Sequence, residues 1–280
     1  MTDLGQLERR RAGLSAIREI VSSLRALSSL QFRRAREGLG ARRELESDLH
    51  RALAAVSAPR PPVADPQRIL LIVLGTDQGF CGPLVERLVE AARARMAGGP
   101  EGVSFRVLAV GSRTRALLER QLGEAPEHLP LPVSPRSVDP AVETLAEALE
   151  RRVGADEVDG IDVVYAHFLG PGRYEPRVTR LFPVAPERLP RPGRPARLNE
   201  RADRVLDRLV FEWIYAELYR VVLEALSAEH GARMNTTDAA TRAADDALAE
   251  LDVQRHRARQ AEATHEVLEI LAAAEAVSSE

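Results

Sequence analysis

Proline placement constrains this chain more than any other feature. A proline inside a helix removes a backbone donor and clashes with the preceding turn, and all 18 prolines of the 280 residues lie between Pro59 and Pro195. Residues 1–58 and 196–280 contain none, and the second flank holds a single glycine, Gly231. Both flanks are predicted as long helices. In the first, Leu7, Leu14, Val21, Ser28 and Ala35 recur every seven residues, with Ile17, Leu24 and Gln31 on the alternate steps of a coiled-coil seam. In the second, Phe211, Ile214, Leu218, Val221, Ala225, Ala228, Ala232, Asn235 and Ala239 alternate steps of three and four. That stripe slips by one residue and resumes as Ala240, Ala244, Ala247, Leu251, Gln254, Ala258, Ala261, His265, Leu268 and Ala272. A helix from Asn199 to Val277 would be roughly 120 Å long and one from Leu4 to Val56 roughly 80 Å, too long for either to fold within a compact domain. The economical expectation is that they wind antiparallel about each other, leaving one end of the longer helix projecting and in need of another surface.

Between the flanks the pattern becomes β followed by α. Arg68 to Leu74, Val103 to Val110 and Ile161 to Phe168 read as buried strands, separated by helices at Leu84–Met96, Arg113–Leu122 and Val138–Val153. This alternation predicts a small, mainly parallel sheet covered by helices, with Arg177–Val184 as an edge strand because Pro183 suits an edge. The fold class is therefore α/β: a Rossmann-like domain at residues 59–195, flanked by coiled-coil helices at 1–58 and 196–280. The proline-dense stretch Pro183–Pro195 reads as a stiff linker.

Several function classes fall away at once. With 42 acidic against 39 basic residues, all of the latter Arg, no global field favours nucleic acid, and Lys-based chemistry is absent. The one cysteine, Cys81, makes neither an internal disulfide nor a Cys-rich metal site. The longest apolar run, Ile69–Leu74, is far short of the roughly 20 residues of a membrane helix, so direct insertion is not expected. The six histidines are scattered without ligand spacing, so neither a metal nor a cofactor is expected. Asp238, Asp245 and Asp246 read as a solvated helical face, and Arg33, Arg34, Arg36, Arg42 and Arg43 as solvated or partner-facing. The loop Gly75–Gly82 (GTDQGFCG), which follows a strand and opens a helix, is either a structural turn or a phosphate cradle without the Lys-Ser/Thr pair of a P-loop. Two polar strings fall on the predicted seam or near its end: the segment around Gly231, and Arg259, Gln260, Thr264 and Glu266 within two turns. The second is either a partner-reading surface or a solvated one.

At these strings the sequence resembles the gamma subunit of rotary F-type ATP synthases. The family's C-terminal pattern E-x-x-A-R-M-x-A-M-x-x-A-T-x-N-A is matched by Glu229–Ala244 (EHGARMNTTDAATRAA), and x-N-x-x-R-Q-x-x-I-T-x-E-L-x-E-I by His256–Ile270 (HRARQAEATHEVLEI). GTDQGFCG is similar to the family's S-D-R-G-L-C-G, LSSLQFRRAR at 27–36 to V-S-A-A-K-L-R-R-A-Q, and residues 163–184 to its late strands ending in Leu-Leu-Pro. The chain departs from the family at Glu19–Leu24, which replace Lys-Ile-Thr-x-Ala-Met, and at Ala263, His265, Gln78 and Pro83. The resemblance implies a non-enzymatic central-stalk rotor. Its coil would lie inside the ring of alpha and beta subunits, and its α/β foot would meet epsilon and the membrane ring of c subunits at the cytoplasmic face of the bacterial inner membrane. It further implies that Arg259, Gln260, Thr264 and Glu266 contact beta-subunit loops, with Arg233 and Met234 on the neighbouring shaft. The departures fit a divergent paralogue, such as an N-type ion-pumping ATPase. Outside the family, the residues also allow a small-molecule-binding α/β enzyme with helical arms, or a coiled-coil scaffold.

Overall fold

A computed structural model describes residues 4–56, 65–123, 125–132, 134–170, 173–185, 188–191, 193 and 196–278, with the side chains of 43, 272, 273 and 275–278 excluded. Much of the Pro183–Pro195 linker, and Ala272 of the expected seam, therefore lie outside what is described. The elements run α1 (Leu4–Ala41), α2 (Arg43–Ala55), β1 (Arg68–Leu74), α3 (Leu84–Ala97), β2 (Ser104–Val110), α4 (Ser112–Leu122), β3 (Glu127–Leu129), a 3-10 turn (Pro135–Ser137), α5 (Val138–Gly154), β4 (Gly160–Gly170), β5 (Arg173–Phe182) and α6 (Ala202–Ser278). Two units emerge, one of residues through Leu27 with those from Asn235 onward, the other Ser28–Met234.

In the second unit the sheet order is β3-β2-β1-β4-β5. β1, β2, β3 and β4 are parallel and β5 joins β4 antiparallel, so the expected edge strand is present and begins four residues earlier, at Arg173. β3 is the one strand the sequence pattern hides: three residues containing His128 and a Glu offer no apolar run to read. β1 is buried along six of its seven residues, which is why it reads as a continuous apolar run rather than an alternating one. One face of the sheet, with Leu70, Ile72, Val163 and Tyr165, packs on α5 and on the Leu218–Leu226 stretch of α6. The other, with Leu71, Val73, Val164 and Ala166, packs on α3 and α4, and the same cluster takes in Ala228 and Ala232 of α6.

The expected single N-terminal helix is two. Gly38 and Gly40 weaken the helix just before Arg42, where one turn separates α1 from α2. Arg42 is held there over the ring of Tyr219 at 3.2 Å and beside Asp139. α2 then packs through Leu53 and Val56 with Leu206 and Trp213 of α6. From Val221 to Arg233 every residue of α6 is buried, as a helix enclosed on all sides must be. Phe32 of α1 lies beside Gly231, and Leu223 beside Gly38.

The first unit is an antiparallel pair of helical segments. Leu7 and Val21 are buried on one and Thr237, Ala244 and Leu251 on the other, in heptad steps. The predicted seam is corrected at several points: Ile17 and Phe211 are 55% and 47% exposed, Asn235, Ala239, Gln254, Ala261, His265 and Leu268 face outward, and Thr237 takes an inner position. Ala240 and Ala247, small enough for close approach, are half-buried as expected of a narrow seam. Arg11, Arg18 and Arg25 pair with Asp252, Asp245 and Asp238, and Glu8 with Arg259. Two of the three aspartates expected to be merely solvated are thus rungs of a ladder with one register.

Candidate partner-binding surfaces

The loop after β1 sits where strand order reverses, between β1 and β4 at the carboxyl ends of parallel strands, which is where open α/β sheets commonly bind ligands. Here the chain fills that place itself. The Thr76 hydroxyl donates to Glu229 Oε1 at 2.7 Å while accepting from the Gln78 N–H at 3.1 Å. Arg233 forms an ion pair with Glu229 one turn away on α6, donates from Nε to the Gly79 carbonyl at 3.0 Å, and reaches Cys81 Sγ at 3.4 Å. Thr76, Glu229, Arg233, His230 and Cys81 are all buried, at 1–5% exposure. Where a phosphate cradle would hold an anion, this loop holds a carboxylate from its own C-terminal helix.

The loop is rigidly mounted. Gly75 donates to Val110 O, Thr76 N–H to Thr114 Oγ1 at 3.0 Å, and Arg113 N–H to Thr76 O. The Asp77 carboxylate accepts from the backbone N–H groups of Ser112 (2.6 Å) and Leu131 (2.8 Å), tying β1 to the segments after β2 and β3. A side chain at Gly75 would place its Cβ 1.7 Å from Thr114 Oγ1, so only glycine permits this approach.

Burial pushes the Glu229 carboxyl up, against the pull of Arg233 and Thr76, and pushes the Cys81 thiol up as well. His230 falls to about 4, first through burial and then through Arg233. Its Nδ1 lies 3.1 Å from Arg233 Nη1 and so must accept, which places the proton on Nε2. Nε2 has no hydrogen-bond partner among the described residues. Cys81 is thus a buried small side chain with a raised pKa, the opposite of an activated nucleophile.

A second buried set fastens the helix further back. Glu224 of α6 meets His167 Nδ1 at 2.5 Å and pairs with Arg220, which also reaches Glu217 at 2.8 Å and Tyr165 Oη. On the opposite face of the sheet Asp162 is held by Arg95 at 2.8 Å and by Arg180. None of these groups was singled out by sequence reading, because the contacts between elements, Arg95 and Arg180 with Asp162 and His167 with Glu224, join residues 18 to 67 positions apart and carry no local spacing signal.

The sequence-predicted partner residues divide between the two units. Arg233 is turned inward and bonded to the loop, and Met234 beside it is half-buried. Arg259, Gln260, Thr264 and Glu266 are all exposed. Arg259 meets Glu8 at 2.8 Å, and the Thr264 hydroxyl donates to the Gln260 carbonyl. Past that point every described side chain from Ala261 to Leu271 is exposed, including Val267, Leu268, Ile270 and Leu271 at 56–69%.

The comparisons agree with this architecture. The ATP synthase family matches residues 3–277, so the class that the sheet and paired helices define is that of an ATP synthase subunit. The chain is 29% identical to the ATP synthase gamma chain of Rubrobacter xylanophilus over the full length of both. It is 30% identical to that of Granulibacter bethesdensis, covering 99% of this chain and all of the other. It superposes on a chain of the Euglena gracilis mitochondrial ATP synthase (OSCP/F1/c-ring, rotational state 3) with a TM-score of 0.66 at 15% identity, covering 98% and 94% of the two chains. A chain from the rotor of the same organism gives 0.62 at 13% identity, covering 92% and 97%. The chain belongs to the ATP synthase gamma-chain family.

Proposed function

We propose that this gamma chain is a non-catalytic rotor, turning within a ring of alpha and beta subunits and joined through its α/β domain to epsilon and a ring of c subunits. One observation carries the reading. The C-terminal stretch of α6 presents eleven consecutive exposed residues with four large apolar side chains among them. A contiguous apolar surface of this kind on a folded chain marks a partner site. The relatives supply the kind of partner: they are named as gamma chains of ATP synthase, and the structural neighbours as a rotor and as F1 with a c-ring.

On this reading Arg259, Gln260, Thr264 and Glu266 meet loops of the beta subunits, with Met234 further along the shaft and Arg233 bracing it from within. Rotation shifts each beta subunit between nucleotide affinities because contact energy with the shaft differs between that subunit's states. The chain would work at the cytoplasmic face of a bacterial inner membrane. Among the described residues no helix is long and apolar enough to cross a membrane. Either a proton or a sodium ion can drive the ring. The replacement at Glu19–Leu24 favours a second reading within the family, a gamma subunit of an alternative N-type ATPase set.

The test is co-expression with the alpha, beta and remaining ATP synthase subunits of the same organism, the membrane ring included. The full chain is expected to purify once per hexamer and to couple ATP turnover to ion movement. A chain ending at Ala258 is expected to keep the Trp213 fluorescence of its folded α/β domain while losing coupling. Undiminished coupling in that truncation would refute the proposal.

A further inference from the structure

The crevice that commonly receives a ligand in a doubly wound sheet here receives an ion pair from α6. The rest of the α6 interface near this point is apolar, through Ala225, Leu226, Ala228 and Ala232, and the next directional bonds, from Glu224 and Arg220 to His167 and Tyr165, lie further back along the helix. Apolar contact of that kind is non-directional and resists axial rotation weakly. The polar bonds differ. At a side-chain radius of about 5–6 Å, a twist of about 20° carries the Arg233 guanidinium about 2 Å, enough to break its bond to Gly79 O and to draw Glu229 off Thr76. All three partners, Thr76, Gly79 and Cys81, lie on one loop, and Asp77 and Thr114 pin that loop to neighbouring segments.

We infer that Thr76, Glu229 and Arg233 form a key that fixes the rotational phase of α6 on the sheet, so that torque passes between the α/β domain and the helix through directional bonds. This rests on the rotor reading above and adds to it a transmission point. Thr76, Glu229 and Arg233 are positioning residues in this scheme: none faces a partner, and each acts through the azimuth it imposes on α6. A buried ion pair adds little stability over apolar side chains of similar volume, which leaves orientation as what this one supplies.

The triple variant Thr76→Val, Glu229→Leu, Arg233→Met removes both charges of the pair together, leaving no orphaned charge, although Gln78 N–H, Gly79 O and His230 Nδ1 each lose a bond. Glu229→Gln serves as a milder companion that preserves shape. Each is assembled as the full ATP synthase in vesicles, and membrane potential generated per ATP hydrolysed is read with a potential-sensitive dye. In parallel, the full chain carries spin labels at Glu212 on α6 and Glu119 on α4, both exposed. The expected result is retained ATP turnover, a severalfold lower potential per ATP, and a broadened label distance, with Glu229→Gln intermediate and Trp213 unfolding close to that of the unmodified chain. A folded triple variant with an unchanged ratio and a narrow distance would overturn the key, and so would an unchanged ratio in Glu229→Gln if the triple variant does not fold. Failure of the unmodified chain to assemble and pump would instead strike the rotor reading, and the label distances in the isolated chain would still decide the key.

Discussion

Lowering the pH should loosen the α/β domain through His230, and the size of the effect follows from its surroundings. The ring is buried beside Arg233, with Glu229 on the same helix and Asp77 across a space of about 10 Å³. Burial and Arg233 bring its pKa from 6.5 down to about 4. The folded state therefore holds a neutral imidazole through the range in which the unfolded chain takes up a proton. The resulting stability is fully present above about pH 6.5 and is lost as pH falls toward 4. At pH 5 the loss is about 2 kcal/mol, and it approaches about 3 kcal/mol near pH 4. Glu229 works in the opposite sense, since a raised folded pKa contributes stability that is lost as pH rises. The measurement is therefore a difference: urea unfolding followed by Trp213 fluorescence at pH 7.5 and pH 5, for the unmodified chain and for His230→Gln, which accepts from Arg233 without titrating. The unmodified chain should lose about 2 kcal/mol more than the variant over that interval. Equal losses would refute the assignment of a neutral, buried imidazole.

Gly75→Ala should destabilise the domain by about 1–3 kcal/mol or more through overpacking. Thr114→Ala in the same chain should recover part of that, because Thr114 Oγ1 is the nearest obstacle; both are read as urea midpoints. Asp162→Ala leaves Arg95 and Arg180 facing a buried gap and should cost about 3 kcal/mol, the lower end for a broken buried pair because both arginines remain partly solvated. In the helical pair, Leu251→Ala should cost about 2–5 kcal/mol, whereas Arg18→Ala should cost far less because its pair with Asp245 is exposed. Hydrogen exchange over residues 5–27 would rank the two, and a larger effect at Arg18 would show that the ion ladder, not the seam, holds the helices together.

The local patterns were enough for the broad plan. The absence of proline outside Pro59–Pro195, the heptads around Leu7 and Val21, and the β-branched runs at Arg68–Leu74 and Ile161–Phe168 are short-range signals, and each maps onto an element. The resemblance at Glu229–Ala244 and His256–Ile270 led to the family. The break at Arg42 was less legible, since two glycines weaken a helix without dictating where it stops, and β3 left no periodic trace at all.

What the sequence by itself determined is where the helices and strands lie and which faces are apolar, because those follow from backbone sterics and the alternation of side chains within a few residues. Only the tertiary structure decided what the loop after β1 is for. Glu229 and Thr76 stand 153 residues apart, and nothing in either neighbourhood says that a carboxylate will enter the crevice and close it. The same holds for the rungs between Arg18 and Asp245, which exist because two antiparallel helices adopt one stagger. Burial gives the Thr76–Glu229 contact its strength, and burial is a property of the assembled fold.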